Sequence, residues 1–415
     1  MDIPGLPARR SALSLLDAVL RRGETLDQAA NAALRRVRGE PDKALARAIA
    51  AEVLRWKQDF DALIDSATKQ RLADDAKPRQ VLAMMLAQWL RFETPPHAVI
   101  ATGLPLLTGG PRRLAHGVFS TLVKREVKLP AAPTLPEAIR QRWGERADGI
   151  AAGLALPPPL DLTLKDAGSA AEWAQKLGGV SLMPGHVRLQ RGDAITGLAG
   201  YAEGAWWIQD LAASLPARLL GQKQGGRVLD LCAAPGGKTL QLAAAGWDVT
   251  ALDISKRRLE RLADNLERTG LAAHVVAANV LEWEPDAPFD AIVLDAPCTS
   301  TGTCRRHPDV LHRIGPAQIA EMAQLQARLL ERAAGWLVPG GRLVYAVCSL
   351  EREEGEDQLS RISLMPDPIR ADELPPGLTP GAEGWLRTDP GMVADAGGLD
   401  GFFIARLVNE SVGSA

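Results

Sequence analysis

The sequence predicts two architectures in one chain, an all-α N-terminal helical bundle followed by an α/β region with a doubly wound, mostly parallel sheet. Three observations carry this. The 415 residues exceed one ordinary core, so a multidomain chain is expected. Over residues 8–127 apolar side chains recur at three- and four-residue spacing, the helical period. From about residue 206 short apolar strands alternate with amphipathic helices, a βαβ rhythm whose crossovers give a parallel sheet.

The helical part reads as "ARRSALSLLDAVLRRG", "TLDQAANAALRRV", "DKALARAIAAEVLRWKQDFDALIDSAT", "PRQVLAMMLAQWLRF", "HAVIATGLPLLT" and "RRLAHGVFSTLVKRE", with starts at Thr25 and Asp42 and a stop at Gly23. Pro130, Pro133 and Pro136 then mark a break, giving a first domain over 1–130. Next comes a connector over 131–205, with a helix "EAIRQRWGERADGIAAGLA" and a small α/β piece in which "LDLTLK" and "HVRLQ" flank "SAAEWAQKLG". The third domain, 206–410, runs through "RVLDLC", "DVTALD", "AHVVAA", "FDAIVLD", "GRLVYAVCS" and "DGFFIARLV" as strands. Its expected architecture is Rossmann-like, with ligands bound outside the carboxyl ends of the strands.

Charge is divided unevenly. Residues 1–130 hold 21 Lys+Arg against 14 Asp+Glu and the remainder 27 against 36, so a part at +7 precedes one at -9. That asymmetry suggests a polyanionic partner for the N-terminal part, although a solvated basic face would also produce it. At 46% hydrophobic and 24% charged the chain reads as soluble and globular. No apolar run is long enough for a membrane span and "MDIPGLPARR" has no signal-peptide core, so a cytoplasmic protein without a membrane partner is expected. The four cysteines, Cys232, Cys298, Cys304 and Cys348, form no C-x-x-C pair and have no paired histidines nearby, so neither a metal site nor, in that compartment, a disulfide is expected.

The loop after the first strand of the third domain, "VLDLCAAPGGKT", runs through Cys232, Ala233, Ala234, Pro235, Gly236, Gly237 and Lys238 into a helix. Glycines let a backbone approach a ligand, and the helix start offers free amides. A P-loop fails on spacing, because glycine is required where Cys232 stands, and the dinucleotide G-x-G-x-x-G is absent. Asp253, 16 residues after Gly237, is placed as the ribose-binding acid of such a site. Loop and acid together fit S-adenosylmethionine or a generic dinucleotide, and Asp253 is also explicable as a helix N-terminal charge.

Five ordered stretches, "DLCAAPGGKT", "LDISKRRLERLADNLERTG", "FDAIVLDAPCTSTGTCRRHPDV", "LQARLLERAAGWLVPGGRLVYAVCSLEREEGEDQL" and "DGFFIARL", resemble the RNA cytosine-C5 methyltransferases. The likeness extends to the RsmB/Sun (Fmu) type, which acts on 16S ribosomal RNA and joins this catalytic domain to a NusB-like RNA-binding helical domain. The latter is matched here by "ARRSALSLL", "AEVLRW", "LAMMLAQWLRFE" and "PPHAVIATGLPLL". The resemblance implies S-adenosylmethionine as cofactor and 16S ribosomal RNA, naked or partly assembled, as partner. It assigns attack on the base to Cys348 of the "CS" motif and product release to Cys298 after proline. It puts Asp295 beside both base and cofactor, lets Lys238 reach the base, and draws Asn279 toward the adenine. A monomer is expected.

The chemistry explains the two thiols. Carbon 5 of cytosine is a poor nucleophile until a thiolate adds to carbon 6, and a base must later remove the carbon 5 proton so that the thiolate can leave. Cys298 follows the fourth strand of this domain and Cys348 ends the fifth, so both can face one pocket; spacing alone does not say which attacks. Asp295 is suited to the amino edge of cytosine or to the proton at nitrogen 3. Amino-methylating enzymes place an aromatic ring after Pro-Pro at this strand end, where this chain has Ala296-Pro297-Cys298. Arg305, Arg306 and His307 read as phosphate-holding groups beside a flipped base, or as surface charges paired with Asp309. The chain departs from the family pattern at Asn279, usually aspartate, and at Val347, usually threonine. Glu351, Glu353, Glu354 and Glu356 are expected to begin a helix, a position that favours carboxylates without catalysis. A non-catalytic RNA-binding or assembly factor, or methylation of a transfer RNA or 23S ribosomal RNA, are the alternative functions.

Overall fold

Unit-forming contacts in the computed structural model, which describes residues 4–190 and 195–410, divide the chain in two. Unit 1 is Met1–Leu156 together with Cys304–Ile314, and unit 2 is Pro157–Thr303 together with Gly315–Ala415.

Unit 1 is helical: α1 (Leu6–Arg22), α2 (Leu26–Leu34), α3 (Glu40–Arg55), α4 (Lys57–Ser66), α5 (Lys77–Leu90), α6 (Pro96–Gly103), α7 (Gly109–Lys124), α8 (Glu137–Trp143) and α9 (Ala147–Leu154). Local signals set several boundaries. Thr25 caps α2 reciprocally with Gln28, each side chain accepting from the other's backbone N–H at 3.0 Å. Gly23 ends α1 in the left-handed conformation, and Asp42 lies in the first turn of α3. The core gathers Leu15, Leu16, Ile49, Phe60, Met85 and Phe119, all wholly or almost wholly buried.

Two stretches that read as single helices are broken. The long one over 42–68 divides at Trp56, which leaves helical geometry at φ -105°. Its indole is 1% exposed, with the Arg91 guanidinium 4.9 Å from the ring centroid, so core packing rather than propensity places the break. The one over 137–155 divides at Gly144, which adopts φ 55°, ψ -132°. The segment Cys304–Ile314 is tied into unit 1 by Arg55, which donates to the Arg305 carbonyl at 2.6 Å, and by His312 Nε2, 2.7 Å from the Leu54 carbonyl.

Unit 2 begins with a small antiparallel sheet of β1 (Leu160–Leu164), β2 (His186–Leu189) and β3 (Trp206–Ile208), in the order β2-β1-β3, with α10 (Ala170–Leu177) between its strands. Buried Asp161 and Arg188 hold two of these strands together through a bidentate pair at 2.7 Å. After α11 (Leu211–Arg218), the large sheet is built from β4 (Arg227–Leu231), β5 (Asp248–Asp253), β6 (His274–Ala277), β7 (Phe289–Asp295), β8 (Leu337–Val347), β9 (Met365–Pro366), β10 (Leu386–Arg387) and β11 (Phe403–Val408). The order is β10-β11-β8-β7-β4-β5-β6, with β9 also on β11. Strands β4 to β8 pair in parallel and β11 runs antiparallel against β8, so the sheet is doubly wound and mostly parallel. Strands buried on both faces read as near-continuous apolar runs, as "VLDL" and "AIVLD" do. The connecting helices are α12 (Gly237–Ala244), α13 (Lys256–Thr269), α14 (Pro316–Gly335) and the single turn α15 (Glu356–Leu359).

Parallel register aligns the carboxyl ends of these strands. Leu231 faces Leu252 and Leu294, and Asp295 faces Ala346, so the loops after β4, β5, β7 and β8 open at one edge. Gly302 closes the loop after β7 against the start of β11: its carbonyl accepts from Gly401 N–H at 2.8 Å, and a Cβ there would lie 1.9 Å from the Gly401 carbonyl oxygen. Backbone cannot give way by that much, so Gly302→Ala should destabilise unit 2 by roughly 1–3 kcal/mol, read as a lowered midpoint in urea; an unchanged midpoint would contradict this packing.

Candidate active site

Four loops at the carboxyl edge of the large sheet carry Cys232, Cys298, Cys348, Asp253 and Asp295, whereas Cys304 is buried in the segment that groups with unit 1. Cys298, three residues past β7, and Cys348, directly after β8, place their sulfurs 3.4 Å apart, both half-buried. Ser300, held at φ 58°, sets its hydroxyl 3.6 Å from the Cys348 sulfur and 3.9 Å from that of Cys298. The hydrogen bond to Cys348, followed by burial, raises the Cys298 pKa well above that of an ordinary thiol. Two sulfurs this close cannot both lose their protons at little cost. Such a pair can offer one sulfur as nucleophile and the other as proton donor or acceptor.

Lys238 in the first turn of α12 meets Asp295 at the end of β7, Nζ to Oδ2 2.7 Å. Burial alone would discharge an amine that is 7% exposed, but the charge and hydrogen bond of Asp295, with the Asp230 charge adding, outweigh it and raise the Lys238 pKa. Cys348 is close enough to act on the same cation. The two residues expected at the substrate are thus a preformed ion pair beside the thiols, with the Asp295 side chain 31% exposed.

The loop from Cys232 to Gly237 follows β4 and is bonded to the end of β5, Ala233 N–H donating to the Leu252 carbonyl at 3.1 Å. Cys232 takes φ 61° and Gly236, which precedes α12, takes φ 109°. Burial, then the charges of Asp295 and Asp253, push the Cys232 thiol up, so this cysteine is an inert one. Asp253 accepts from Ser255 N–H at 2.8 Å and Ala234 N–H at 3.2 Å, which leaves lone pairs on both oxygens for ligand hydroxyls. Asp230 is fully buried at the end of β4; Oδ2 accepts from Thr239 at 2.5 Å, while Oδ1 has no partner among the described residues. An orphaned buried carboxyl oxygen beside a left-handed loop and a ribose-type acid fits S-adenosylmethionine, which Asp230, Asp253 and the loop backbone would hold. Asn279, past β6, uses its amide locally, Oδ1 on Leu281 N–H and Nδ2 on Glu282.

Residues 305–307 fall in the part of the chain that groups with unit 1. Arg305 is 1% exposed, so its guanidinium lies within the packing rather than where a phosphate would meet it. Arg306 and His307 are half-buried, and His307 Nδ1 is 3.8 Å from Asp27 Oδ2. Unit 1 carries another basic surface that motif reading missed, a groove of about 880 Å³ along α1 and α2 lined by Arg10, Arg21, Arg22, Arg35, Arg36 and Lys77 against Asp17 and Asp75. The +7 balance of residues 1–130 was its only trace in the sequence. Among the described residues no cluster of histidine, cysteine and carboxylate side chains suits a metal, and no helix is long and apolar enough to cross a membrane.

Comparison with known proteins agrees with this layout. Residues 217–408 match the model of the 16S rRNA methyltransferase RsmB/F family, and residues 6–106 that of the NusB family. Proteins named ribosomal RNA small subunit methyltransferase B are similar over almost the whole chain. That of Klebsiella pneumoniae is 33% identical, with 97% of this chain and 98% of the relative covered; that of Xanthomonas campestris is 32% identical, with 98% of each covered. The crystal structure of a methyltransferase homologue from Pyrococcus horikoshii superposes with a TM-score of 0.55 at 29% identity, covering 66% of this chain and 93% of that one. NSun6 from the same organism shares the fold, at a TM-score of 0.58 and 19% identity over 66% of this chain and 98% of its own.

Burial foremost, against the opposing bond from Thr239, pushes the Asp230 carboxyl up to about 7. A free aspartate loses its proton near pH ~4, so the folded state binds this proton more tightly and Asp230 costs stability progressively as pH rises from about 4 to about 7. Thermal scans should show Asp230→Asn gaining on the wild type across that window and holding a constant gap above it; a gap independent of pH would mean that Asp230 is ionised throughout.

Proposed function

The chain belongs to the ribosomal RNA small subunit methyltransferase B family and is an S-adenosylmethionine-dependent 16S rRNA methyltransferase; on that premise we propose that it methylates carbon 5 of a cytosine through a covalent adduct with Cys348. The observation that carries this reading is the 3.4 Å separation of the Cys298 and Cys348 sulfurs at the carboxyl edge of the sheet.

Cytosine ring activation needs a thiolate at carbon 6. The resemblance to the RNA cytosine-C5 methyltransferases assigns attack to Cys348 and product release to Cys298, and the contact between the two sulfurs lets both reach one ring. The methyl group that carbon 5 receives comes from S-adenosylmethionine. Asp295, ionised and oriented by Lys238, accepts from the amino edge of the base. Once Cys348 is bonded to carbon it can no longer be an anion hydrogen-bonded by its neighbour. The first cause of the high Cys298 pKa then disappears, and Cys298 becomes able to take the carbon 5 proton. Loss of that proton restores the ring and expels Cys348. The order of events thus follows from one sulfur relieving the other.

The arginine-lined groove of unit 1 supports docking of the RNA backbone there, since a concave excess of cations gains by counterion release. Arg306 and His307 are further candidates, whereas the burial of Arg305 favours a structural role. Methylation of 16S rRNA fits the names of the similar proteins better than transfer RNA or 23S rRNA does.

Three outcomes test the reading. Cys348→Ala should abolish transfer of labelled methyl to 16S rRNA and form no covalent complex. Cys298→Ala should instead trap a protein–RNA complex that survives denaturing gels; a complex trapped by the Cys348 variant would reverse the roles. Replacing the exposed Arg35 and Arg36 together by alanine should weaken binding to 16S rRNA and reduce the slope of log affinity against log salt by roughly 2, and an unchanged slope would remove the groove from the RNA path.

A further inference from the structure

We infer that Glu354 is the positioning residue that fixes the spacing of the two thiols, an inference that rests on the two-cysteine reading above. Glu354 lies seven residues after β8 and is 0% exposed. Its carboxylate collects four donors from three separate parts of the chain. Oε2 accepts from Thr299 N–H and from Gln326 Nε2, both at 2.9 Å, and Oε1 accepts from the Ser349 hydroxyl at 2.8 Å and from the Thr299 hydroxyl. Thr299 directly follows Cys298, and Ser349 directly follows Cys348. Gln326 on α14 also donates to the Pro297 carbonyl at 2.8 Å, so both neighbours of Cys298 are held.

The Glu354 backbone is itself anchored, because the Tyr345 hydroxyl in β8 donates to its carbonyl at 2.6 Å. Around it the two cysteine loops are stapled to each other: Leu350 N–H donates to the Thr301 hydroxyl at 2.9 Å, and Gly302 N–H to the Cys348 carbonyl at 3.0 Å. An ionised carboxylate accepts only and has about four lone-pair sites, which four converging donors fill. A glutamine in its place would turn an N–H2 toward one of those donors and leave a buried polar pair unmatched. The loop carrying Cys298 would then be free to move relative to Cys348. Glu354 touches neither sulfur in the bonds it makes; it holds their loops through Thr299 and Ser349, its charge adds to the raised pKa of Cys298, and it is not a catalytic residue.

The test uses the full chain and two readouts. The first needs no RNA: phenylarsine oxide forms two As–S bonds with a pair of neighbouring thiols and releases one water, so it reports thiol spacing directly. Wild-type protein should bind one equivalent with loss of two titratable thiols, Cys298→Ala should not, and Glu354→Gln should bind at least tenfold more weakly, whereas Glu354→Asp should recover part of the affinity. The second readout is steady-state methylation of 16S rRNA. Displacing a reacting group by about 1 Å costs on the order of 100-fold, so Glu354→Gln should lose about that much in kcat with KM for RNA little changed.

Wild-type arsenical affinity together with wild-type kcat in Glu354→Gln would overturn the inference, as would equal losses in kcat and RNA affinity. If Glu354→Gln does not fold, Thr299→Val decides in its place: it removes one donor and leaves the carboxylate, and it should show a smaller loss in the same two readouts, no loss counting against the inference. If wild-type protein methylates no cytosine at carbon 5, the two-thiol chemistry fails, while the arsenical readout still reports whether Glu354 sets the spacing.

Discussion

Parallel pairing of β7 with β8, in the register that sets Asp295 opposite Ala346, is the constraint on which the site depends. Strands in a parallel sheet deliver their following loops at the same edge, so two cysteines 50 positions apart come within van der Waals contact. A register slip would move every side chain of one strand to the other face and part the thiols. Burial on both faces, by Ile292, Leu294, Leu343 and Tyr345 on one and Val293, Val344 and Ala346 on the other, makes such a slip costly.

The electrostatics of that edge follow from how little water reaches it. Asp230, Asp253 and Asp295 lie at the ends of three strands; Lys238 is the cation beside Asp295 and Asp230, and Arg258 the one nearest Asp253. Asp295 is neutralised by a direct ion pair; Asp230, deeper and without one, answers desolvation by holding its proton toward neutral pH. A similar asymmetry divides the thiols. Their proximity means that they cannot both be anions at little cost, so one proton is shared by position rather than by residue type.

Much of this was legible in the sequence because it is written locally. Periodicity distinguishes the bundle from the βαβ series, Thr25 and Gly23 mark helix ends, "PGGK" puts Lys238 at a helix start and "DAPC" puts Asp295 at a strand end. The breaks at Trp56 and Gly144 were not visible, the first because a helical period continues through a residue that core packing removes from the helix. Arg305 looked like a surface cation in "CRRHPDV", and its burial depends on a segment that groups with residues some 250 positions away, as its bond from Arg55 shows. Glu354 read as one carboxylate among several at a helix start. Nothing in "EREEGEDQL" singles it out, since its partners Thr299 and Gln326 lie 55 and 28 positions distant.

Residue chemistry and spacing by themselves determined the architecture, the cofactor loop and the presence of two thiols, because propensity, capping and turn chemistry act over a few residues and leave a pattern in the chain. Tertiary structure alone decided that two distant sulfurs meet, that burial pushes the Asp230 carboxyl up and that four donors converge on Glu354. Those properties arise from desolvation and from hydrogen bonds between distant segments, and neither exists until the strands have paired.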